Sequence, residues 1–326
     1  DIGSPQELID EQPSQLFVAE RSDVAEWLEK AEFTSDSYKN KRGHVLLIAG
    51  SRDYSGAAVL AANAAMRSGV GLTTLACPEP AKELIASRLL PDVILSSIES
   101  DEFSGHLERS DAVAVGCGLD ASDPNVEELV WGVIADRTKP VIVDASALAM
   151  LSPMSANWQP INETANVILT PHEGEFLRLM GEKGNHAVGE TPPPLFRKEG
   201  NPIEDRVAAV REFSQKHNVI LVLKGERVLI GEPGGKVVVN PTGNSGLGKA
   251  GNGDTLAGIL AGFVAQAAKM DIDLFEIVVA AVYIAGMAGD VAEKKYGKRV
   301  MTASDVRECL VDVIAEFEKQ CAQLSC

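Results

Sequence analysis

Hydrophobic residues occur along this chain in short, nearly continuous runs that alternate with helical segments. The runs are rich in Val, Ile, Leu and Ala, as expected of parallel strands that are buried on both faces of a sheet. The helical segments include Gly56–Arg67 and Gly174–Met180, each followed closely by a glycine. This alternation predicts a three-layer α/β fold with a mainly parallel central sheet. The predicted strands are His44–Ala49, Gly71–Ala76, Ala112–Val115, Pro140–Val143, Asn166–Leu169 and Val219–Leu223.

Three further segments add detail to this pattern. Arg227–Ile230 and Lys236–Val239 flank a turn rich in glycine and proline, which predicts an antiparallel hairpin at one side of the sheet. Residues 1–40 form a polar lead-in with one predicted helix, Ser22–Ala31. Asn185–Pro202 contains three consecutive prolines and no apolar period, so we interpret it as a surface loop insertion.

Composition and charge restrict the possible partners. With 326 residues, 45% of them hydrophobic, the chain is long enough to bury one large core. The net charge of −17, without a basic stretch, argues against nucleic acid or an anionic membrane as partner. An anionic nucleotide would have to be bound by local groups, because exposed charges are screened beyond ~8 Å. The most apolar run, Ile277–Gly289, is shorter than the roughly 20 residues of a membrane-spanning helix.

The cysteines and the first residues indicate the cellular compartment. The five cysteines lack the spacing of metal ligands, and Cys77 and Cys117 lie in apolar runs where buried thiols are expected. No signal-peptide pattern is visible in the polar, acidic first forty residues, so we expect the reducing cytoplasm. Because the chain begins with Asp1 and not with Met, we expect a fragment or a processed product.

The segment Asn240–Leu260 carries the strongest functional signal. A glycine-rich loop runs into a helix of small and aliphatic residues, with Asp254 at the junction. Such a junction suits phosphate oxygens, and an acid inside it indicates a base that accepts a proton beside a transferring phosphoryl group. The alternative is that Asp254 only caps its own helix. The six glycines from Gly243 to Gly258 favour the phosphate loop, since they have a backbone-entropy cost and no evident packing role.

Polar residues also follow the predicted strands, where α/β folds bind their ligands. His172 stands between a strand end and a helix start, which favours contact with a ligand over a structural role, and no second histidine follows with zinc-site spacing. Lys224 either neutralises a phosphate or is an exposed strand-end lysine. Asp144 either holds a hydroxyl or hydrated metal or caps the helix Ala145–Leu151. The small-residue turn Gly50–Ala58 suits a ligand or tight packing equally.

An ordered set of motifs runs through the chain, namely Gly43–Ser51, Tyr54–Ala58, Ala65–Leu72, Thr170–Glu175, Val222–Gly225, Asn240–Asn244 and Gly253-Asp254. This set resembles the NAD(P)H-hydrate dehydratase family, a branch of the ribokinase-like superfamily, over about residues 37–317. The resemblance implies a ribokinase-like fold and a repair enzyme. Such an enzyme dehydrates the 6S hydrate of NADH or NADPH, with ADP or ATP as co-substrate and Mg²⁺ as cofactor.

The resemblance also assigns roles by matching position. Asp254 would be the catalytic residue. The hydrate would be contacted by Ala57, Gly118, His172 and Asp254. The nucleotide would be contacted by Lys224, Gly225, Glu226, Arg227, Val228, Gly251, Asn252 and Gly253. Two of these depart from the family pattern: Val228 stands where relatives often have Thr, and Asn252 where they usually have Thr or Ser.

The first residues, Asp1–Pro5, resemble the tail of a hydrate epimerase domain. We therefore expect residues 1–36 to be a lead-in from a preceding epimerase domain. Residues 37–326 would then be the dehydratase domain of a bifunctional enzyme. We also expect a homo-oligomer, a tetramer or larger.

Two other functions remain open at this point. A ribokinase-like kinase of a vitamin-precursor alcohol, of the hydroxymethylpyrimidine or thiazole type, would share the Gly253-Asp254 junction but stop at a stable phosphate ester. A non-catalytic nucleotide-sensing module would keep the fold alone. Asp254 argues against such a module, because binding alone gives no reason for an acid among phosphates.

Overall fold

The computed structural model describes residues 15–31, 33–135, 138–154, 166–181, 202–270 and 272–324. Ten of its strands form one sheet: β1 (Leu16–Val18), β2 (His44–Ile48), β3 (Leu72–Cys77), β4 (Ile94–Ser97), β5 (Ala112–Val115), β6 (Val141–Val143), β7 (Val167–Leu169), β8 (Ile220–Leu223), β9 (Leu229–Gly231) and β10 (Val237–Val239). Their order across the sheet is β1-β10-β9-β8-β7-β6-β5-β2-β3-β4.

The described α-helices lie on the two faces of this sheet. They are α1 (Arg21–Lys30), α2 (Ser55–Arg67), α3 (Glu79–Ala86), α4 (Phe103–Arg109), α5 (Pro124–Ala135), α6 (Ser146–Met150), α7 (Glu173–Leu179), α8 (Pro202–His217), α9 (Asn252–Met270), α10 (Leu274–Tyr296) and α11 (Ala303–Leu324).

The strand directions confirm the predicted sheet. Among the described strands β9 alone is antiparallel to its neighbours β8 and β10, and the remaining pairs are parallel. The predicted hairpin is β9–β10, and each of the six predicted runs overlaps an observed strand. The sequence analysis missed β1 and β4. Both are short, and β4 ends in two serines, so neither stands out as an apolar run.

Both faces of the sheet are buried, as the apolar runs predicted. Along β2, Val45 and Leu47 belong to one hydrophobic cluster, whereas Leu46 and Ile48 belong to the other. Helices α1, α2, α3, α9, α10 and α11 cover the first cluster, and α4 to α8 cover the second. The sheet is therefore the middle of three layers.

Helix α9 lies unusually close to α2. A Cβ atom added to Gly258 would be 2.1 Å from the Ala61 carbonyl oxygen, and one added to Gly262 would be 1.8 Å from the Ser68 hydroxyl. The expectation that the glycines up to Gly258 have no packing role is therefore wrong for Gly258. Because Gly258 has no side chain, α9 packs closely against α2. This packing fixes the position of the first turn of α9.

Helix α10 is longer than its most apolar run. With 23 residues it is long and apolar enough, by length and composition, to cross a membrane. In the described structure 72% of its most apolar window is buried, and the helix packs against α1, α9 and α11. This is the environment of a core helix.

The lead-in contributes to the same layers. Strand β1 pairs in parallel with β10, and α1 packs on α10 and α11. Arg21 joins α1 to α11 through Glu316, at 2.7 Å, and lies 4.5 Å from the centre of the Phe317 ring. The boundary at residue 37 stays a prediction. The predicted loop at residues 185–202 lies outside the described residues except for Pro202, where α8 begins.

Candidate active site

A cavity of about 1000 Å³ opens at the carboxyl ends of β6, β7 and β8. The residues that follow these strands, Asp144, His172 and Lys224, line one side of it. The glycine loop and the first turn of α9 line another. Apolar side chains complete it, including Val228, Leu256, Ile259, Val282 and Val306. The cavity thus offers both a polar and an apolar region, as a nucleotide with a flat base requires.

An ion pair stands at the polar end. The Lys224 ammonium donates to an Asp144 carboxylate oxygen at 2.9 Å and lies 4.0 Å from Glu175, while the two side chains of the pair are only 20% and 3% exposed. Burial lowers the pKa of Lys224, but the charges of Asp144 and Glu175 outweigh it, so the pKa is raised. Lys224 is therefore a fixed positive charge. Asp144 is its partner, a role that the sequence analysis did not consider.

The glycine loop is held in shape by α10. Asp290 of that helix accepts from the Gly243 N–H at 3.0 Å and from the Asn244 amide at 2.9 Å. Asn244 also caps the short turn that follows, accepting from the Gly246 N–H at 2.9 Å. The Asn252 amide donates to the Leu247 carbonyl at 3.0 Å. Asn252, which departs from the family pattern, therefore stabilises the glycine loop through a hydrogen bond within it.

The first turn of α9 faces the ion pair. A Cβ atom on Gly253 would lie 3.4 Å from the Lys224 nitrogen and 3.8 Å from an Asp144 oxygen. The unpaired N–H groups of a helix start and the ammonium of Lys224 thus point to one place. The sequence predicted a phosphate cradle here from its glycines, and that role stays a prediction.

Asp254 is the third residue of α9, so it does not precede the helix as an N-cap residue does. Burial, and then repulsion by Asp144, raises the pKa of Asp254 to about 6. A hydrogen bond with the Cys117 thiol and the charge of Lys224 act in the opposite direction. A carboxyl group with this pKa is deprotonated at neutral pH yet able to accept a proton.

His172 has a structural role, and its contact with a ligand stays a prediction. Its Nδ1 accepts from the N–H groups of Gly174 and Glu175, at 3.0 and 3.2 Å, and so caps α7. Glu175 completes the capping box by accepting from the His172 N–H at 2.8 Å. Desolvation lowers the pKa of His172. Because Nδ1 accepts both bonds, a neutral ring carries its proton on Nε2. The ring also borders the cavity.

Ala57 and Gly118 lie together but are not among the residues that line the cavity. Gly118 has a φ of +70°, and a Cβ there would be 2.5 Å from the Tyr54 carbonyl oxygen and 2.9 Å from the Ala57 Cβ. The loops after β2 and β5 are thereby packed against each other. The substrate-binding roles of both residues stay predictions.

The segment from Lys224 to Val228 connects β8 to β9 and lines the cavity. The Arg227 guanidinium donates to the Pro241 carbonyl at 2.9 Å, which ties the segment to the glycine loop. Val228 packs on the hydrophobic core and offers no hydroxyl to a ligand. Lys249 also lines the cavity, where a lysine could neutralise phosphate. Its ammonium instead donates to the Arg299 and Met301 carbonyls at 2.6 and 2.8 Å.

Comparison with known proteins identifies the family of this chain. A sequence model of NAD(P)H-hydrate dehydratases matches residues 45–311. The chain belongs to this family. The predicted ribokinase-like fold is confirmed by a ribokinase-like superfamily protein of Enterococcus faecalis, which superposes with a TM-score of 0.76 at 26% identity and covers 94% of this chain and 98% of that chain.

Individual members of the family show the extent of the similarity. A bifunctional NAD(P)H-hydrate repair enzyme of Moorella thermoacetica is 31% identical over 98% of this chain and 58% of its own length. An ADP-dependent (S)-NAD(P)H-hydrate dehydratase of Neisseria meningitidis serogroup B is 33% identical over 80% of this chain and 81% of that protein. The Bacillus subtilis ADP/ATP-dependent NAD(P)H-hydrate dehydratase, co-crystallised with ATP/Mg²⁺, superposes with a TM-score of 0.70 at 30% identity, covering 88% and 94% of the two chains. The chain spans little more than half the length of its bifunctional relatives.

Proposed function

We propose that this chain removes water from the hydrates of NADH and NADPH, with ADP or ATP as phosphoryl donor. The observation that carries the proposal is the position of Asp254. Its carboxyl group has a pKa of about 6 and lies in the first turn of a helix whose second residue, Gly253, is close to the Lys224 ammonium. A base beside an anion cradle is the arrangement that phosphoryl transfer to a hydroxyl requires.

The proposed reaction uses these groups in sequence. The nucleotide phosphates lie on the N–H groups of Gly251, Asn252 and Gly253, and Lys224 offsets part of their charge. Asp254 accepts the proton of the hydrate's hydroxyl group. The hydroxyl oxygen of the hydrate then attacks the terminal phosphorus of the nucleotide. Phosphate then departs, pushed by the ring nitrogen, and a proton is lost from the adjacent ring carbon. ADP leaves as AMP, or ATP as ADP, and the dihydropyridine is restored.

The cofactor and the substrate positions are part of the proposal. The described residues contain no group of three or more His, Cys, Asp and Glu side chains arranged to hold a metal ion. Glu175 lines the cavity with the oxygen donor that Mg²⁺ prefers, so it would hold the ion together with the nucleotide phosphates. A bound Mg²⁺ would supply neutralisation of the phosphate charge. The residues Lys224 to Val228 would contact the nucleotide, and Ala57, Gly118 and His172 the hydrate.

The decisive experiment is to mix the protein with chemically prepared NADH hydrate, Mg²⁺ and ADP or ATP. We expect the near-ultraviolet absorbance of the dihydropyridine to return only when a nucleotide is present, with one phosphate released per molecule repaired. A stable phosphate ester formed from a vitamin-precursor alcohol would instead support the kinase alternative. Nucleotide binding without turnover of any substrate would support the sensing module.

The pKa of Asp254 predicts how the rate depends on pH. Because the base must be unprotonated and its pKa is raised to about 6, kcat/KM should rise with pH through about 6 and level off above it. At pH 5 the rate constant should be about a tenth of its plateau value. Initial rates at fixed ionic strength measure this profile. An acid limb below pH 4, where an ordinary aspartate titrates, would contradict the assignment of Asp254 as the base.

His172→Ala tests the proposed contact with the hydrate. We expect a higher KM for the hydrate and almost unchanged affinity for ADP, measured by steady-state kinetics and by calorimetry. Because His172 also caps α7, the change should lower the unfolding free energy by about 1 kcal/mol. His172→Asn is the matched control, since asparagine is a good cap without an imidazole. Weaker ADP binding with an unchanged hydrate KM would place His172 on the nucleotide side.

Three broader expectations belong to the same proposal. The bifunctional relatives make an upstream epimerase domain the proposed origin of residues 1–36. The described cysteines Cys77, Cys117 and Cys309 are free and buried, which suits a reducing cytoplasm. A homo-oligomer of four or more subunits stays a prediction, to be measured by light scattering.

A further inference from the structure

Helix α10 presents one face to the glycine loop. Tyr283, Gly286 and Asp290 follow one another at intervals of three and four residues, so they lie on the same side of the helix. The Tyr283 carbonyl accepts from the Thr242 hydroxyl at 2.8 Å. A Cβ atom added to Gly286 would be 2.1 Å from that hydroxyl oxygen. The loop therefore lies directly against the helix backbone at this face.

Asp290 binds the middle of the loop at the same face. One of its carboxylate oxygens accepts from the Gly243 N–H at 3.0 Å, and the other accepts from the Asn244 amide at 2.9 Å. Gly243 has a φ of +95°, a conformation that favours glycine, so the chain turns sharply at this contact. The Asn244 amide also donates to the Gly289 carbonyl at 3.0 Å. One carboxylate thus holds a backbone group and a side chain of the loop.

Further hydrogen bonds connect this contact to the first turn of α9. Asn244, which donates to Asp290, accepts from the Gly246 N–H at 2.9 Å and so caps the short turn that follows. The Leu247 carbonyl of that turn accepts from the Asn252 amide at 3.0 Å, and Asn252 is the first residue of α9. A series of contacts therefore joins Asp290 to the proposed phosphate site.

The charge of Asp290 gives it no favourable part in binding a nucleotide directly. Asp290 is not among the described residues that line the cavity, whereas Thr242, Gly243 and Asn244 are. A carboxylate behind the loop repels phosphate groups in front of it. Its favourable contribution is therefore to the position of the loop.

We propose that Asp290 is a positioning residue that holds the glycine loop in the shape that binds the nucleotide phosphates. The inference rests on the proposed function, which places the phosphates at the end of this loop. Without the carboxylate, the Gly243 N–H and the Asn244 amide lose the acceptor that they share. The loop then has no directed contact that fixes its middle against α10.

Asp290→Ala tests this role by calorimetric titration with ADP. We expect the dissociation constant to rise about tenfold or more, because the loop loses two hydrogen bonds to a charged acceptor. Removal of a negative charge would by itself tighten the binding of an anion, so weaker binding indicates a change in loop geometry. The KM for the hydrate should stay nearly the same. Unchanged or tighter ADP binding would overturn the proposal.

Asp273→Ala is the matched control in the same helix. Asp273 caps the start of α10, where its carboxylate accepts from the Glu276 N–H at 2.9 Å, and it is not among the described residues of the cavity wall. This variant should melt at a lower temperature and keep the wild-type affinity for ADP. Equal losses of ADP affinity in Asp290→Ala and Asp273→Ala would show a general effect of weakening α10 and would contradict a positioning role.

Exchanging the two side chains gives a second test. In Asp290→Asn one loop donor faces an amide NH₂ group, and in Asn244→Asp two carboxylates face each other. The double variant restores one donor and one acceptor. We expect it to bind ADP more tightly than Asn244→Asp alone, with a loss smaller than the product of the two single losses. Losses that simply multiply would refute the contact. Should Asp290→Ala fail to fold, this set of nearly isosteric variants decides.

Hydrogen exchange separates this proposal from the proposed function. Measured by mass spectrometry without ligand, the amides of residues 242–249 should exchange faster in Asp290→Asn than in the wild type, and at the wild-type rate in Asp273→Ala. This result does not depend on the substrate. Unchanged exchange would overturn the role of Asp290 even if the hydrate is repaired. Faster exchange, in an enzyme whose wild type does not bind ADP, would refute the proposed function and keep the contact.

Discussion

Replacing Asp254 by asparagine is expected to lower kcat by about 10²- to 10⁴-fold, the usual contribution of a general base. Asparagine has nearly the same shape and cannot accept the proton at neutral pH. Because Asp254 lies inside α9 and does not cap it, the helix should form as before. ADP should bind at least as tightly, since the change removes a negative charge near the phosphates. Single-turnover rates and calorimetry measure the two quantities separately.

The control for this variant occupies the same position in another helix. Asp305 is the third residue of α11, as Asp254 is of α9, but it accepts from Thr302 at the helix start and has no part in the cavity. Asp305→Asn should therefore keep nearly full activity. An Asp254→Asn protein with near-wild-type turnover would remove Asp254 from the mechanism, and the phosphate cradle would have to work with a different base.

Gly253→Val is expected to weaken ADP binding by about 100-fold or more, equivalent to roughly 2.7 kcal/mol. Gly253 has an ordinary backbone conformation, so strain is not the cause. Its Cβ would lie 3.4 Å from the Lys224 nitrogen, and the branched side chain would fill the proposed phosphate position. Gly253→Ala, with a single methyl group at that contact distance, should give an intermediate loss. Equilibrium titration with ADP measures all three proteins.

Lys249→Ala is the opposing case. Its ammonium is committed to the carbonyls of Arg299 and Met301, so its loss should weaken ADP binding by about 1 kcal/mol or less. Which of the two variants, Gly253→Val or Lys249→Ala, loses more ADP affinity matters more than the size of either loss. If Lys249→Ala abolished binding while Gly253→Val bound normally, the glycine loop would not be the phosphate site.

Much of the fold follows from local sequence because its strands are buried on both faces. A run such as Ala112–Val115 has no polar position, so its strand was predicted at its observed bounds. The glycine- and proline-rich turn likewise predicted the β9–β10 hairpin. Strand β4 was missed because it is short and, among the described strands, pairs with β3 alone, at an edge where fewer apolar residues are needed. Its existence depends on the neighbour and not on its own four residues.

The site, like the fold, has a part that local sequence predicts and a part that it does not. Lys224, His172 and Asp254 could be proposed from the sequence, because each follows a strand or begins a helix at a recognisable motif. The residues that pair with them could not be proposed from the sequence. The Lys224–Asp144 pair joins residues 80 positions apart, and the bond between Asn244 and Asp290 joins residues 46 apart. Such contacts are set by the strand order, which local patterns do not encode.

Strand β1 has a practical consequence for anyone who shortens this protein. A chain that began at residue 37 would leave the outer side of β10 without its hydrogen-bonding partner, including the Val239 carbonyl that accepts from Ala19 at 3.0 Å. It would also uncover the core surface now occupied by Val24 and Trp27. Open sheet edges recruit strands from other molecules, so such a protein would precipitate or self-associate while its catalytic groups were all present. A loss of activity in the shortened protein would then reflect lower solubility and not a defect in its catalytic groups.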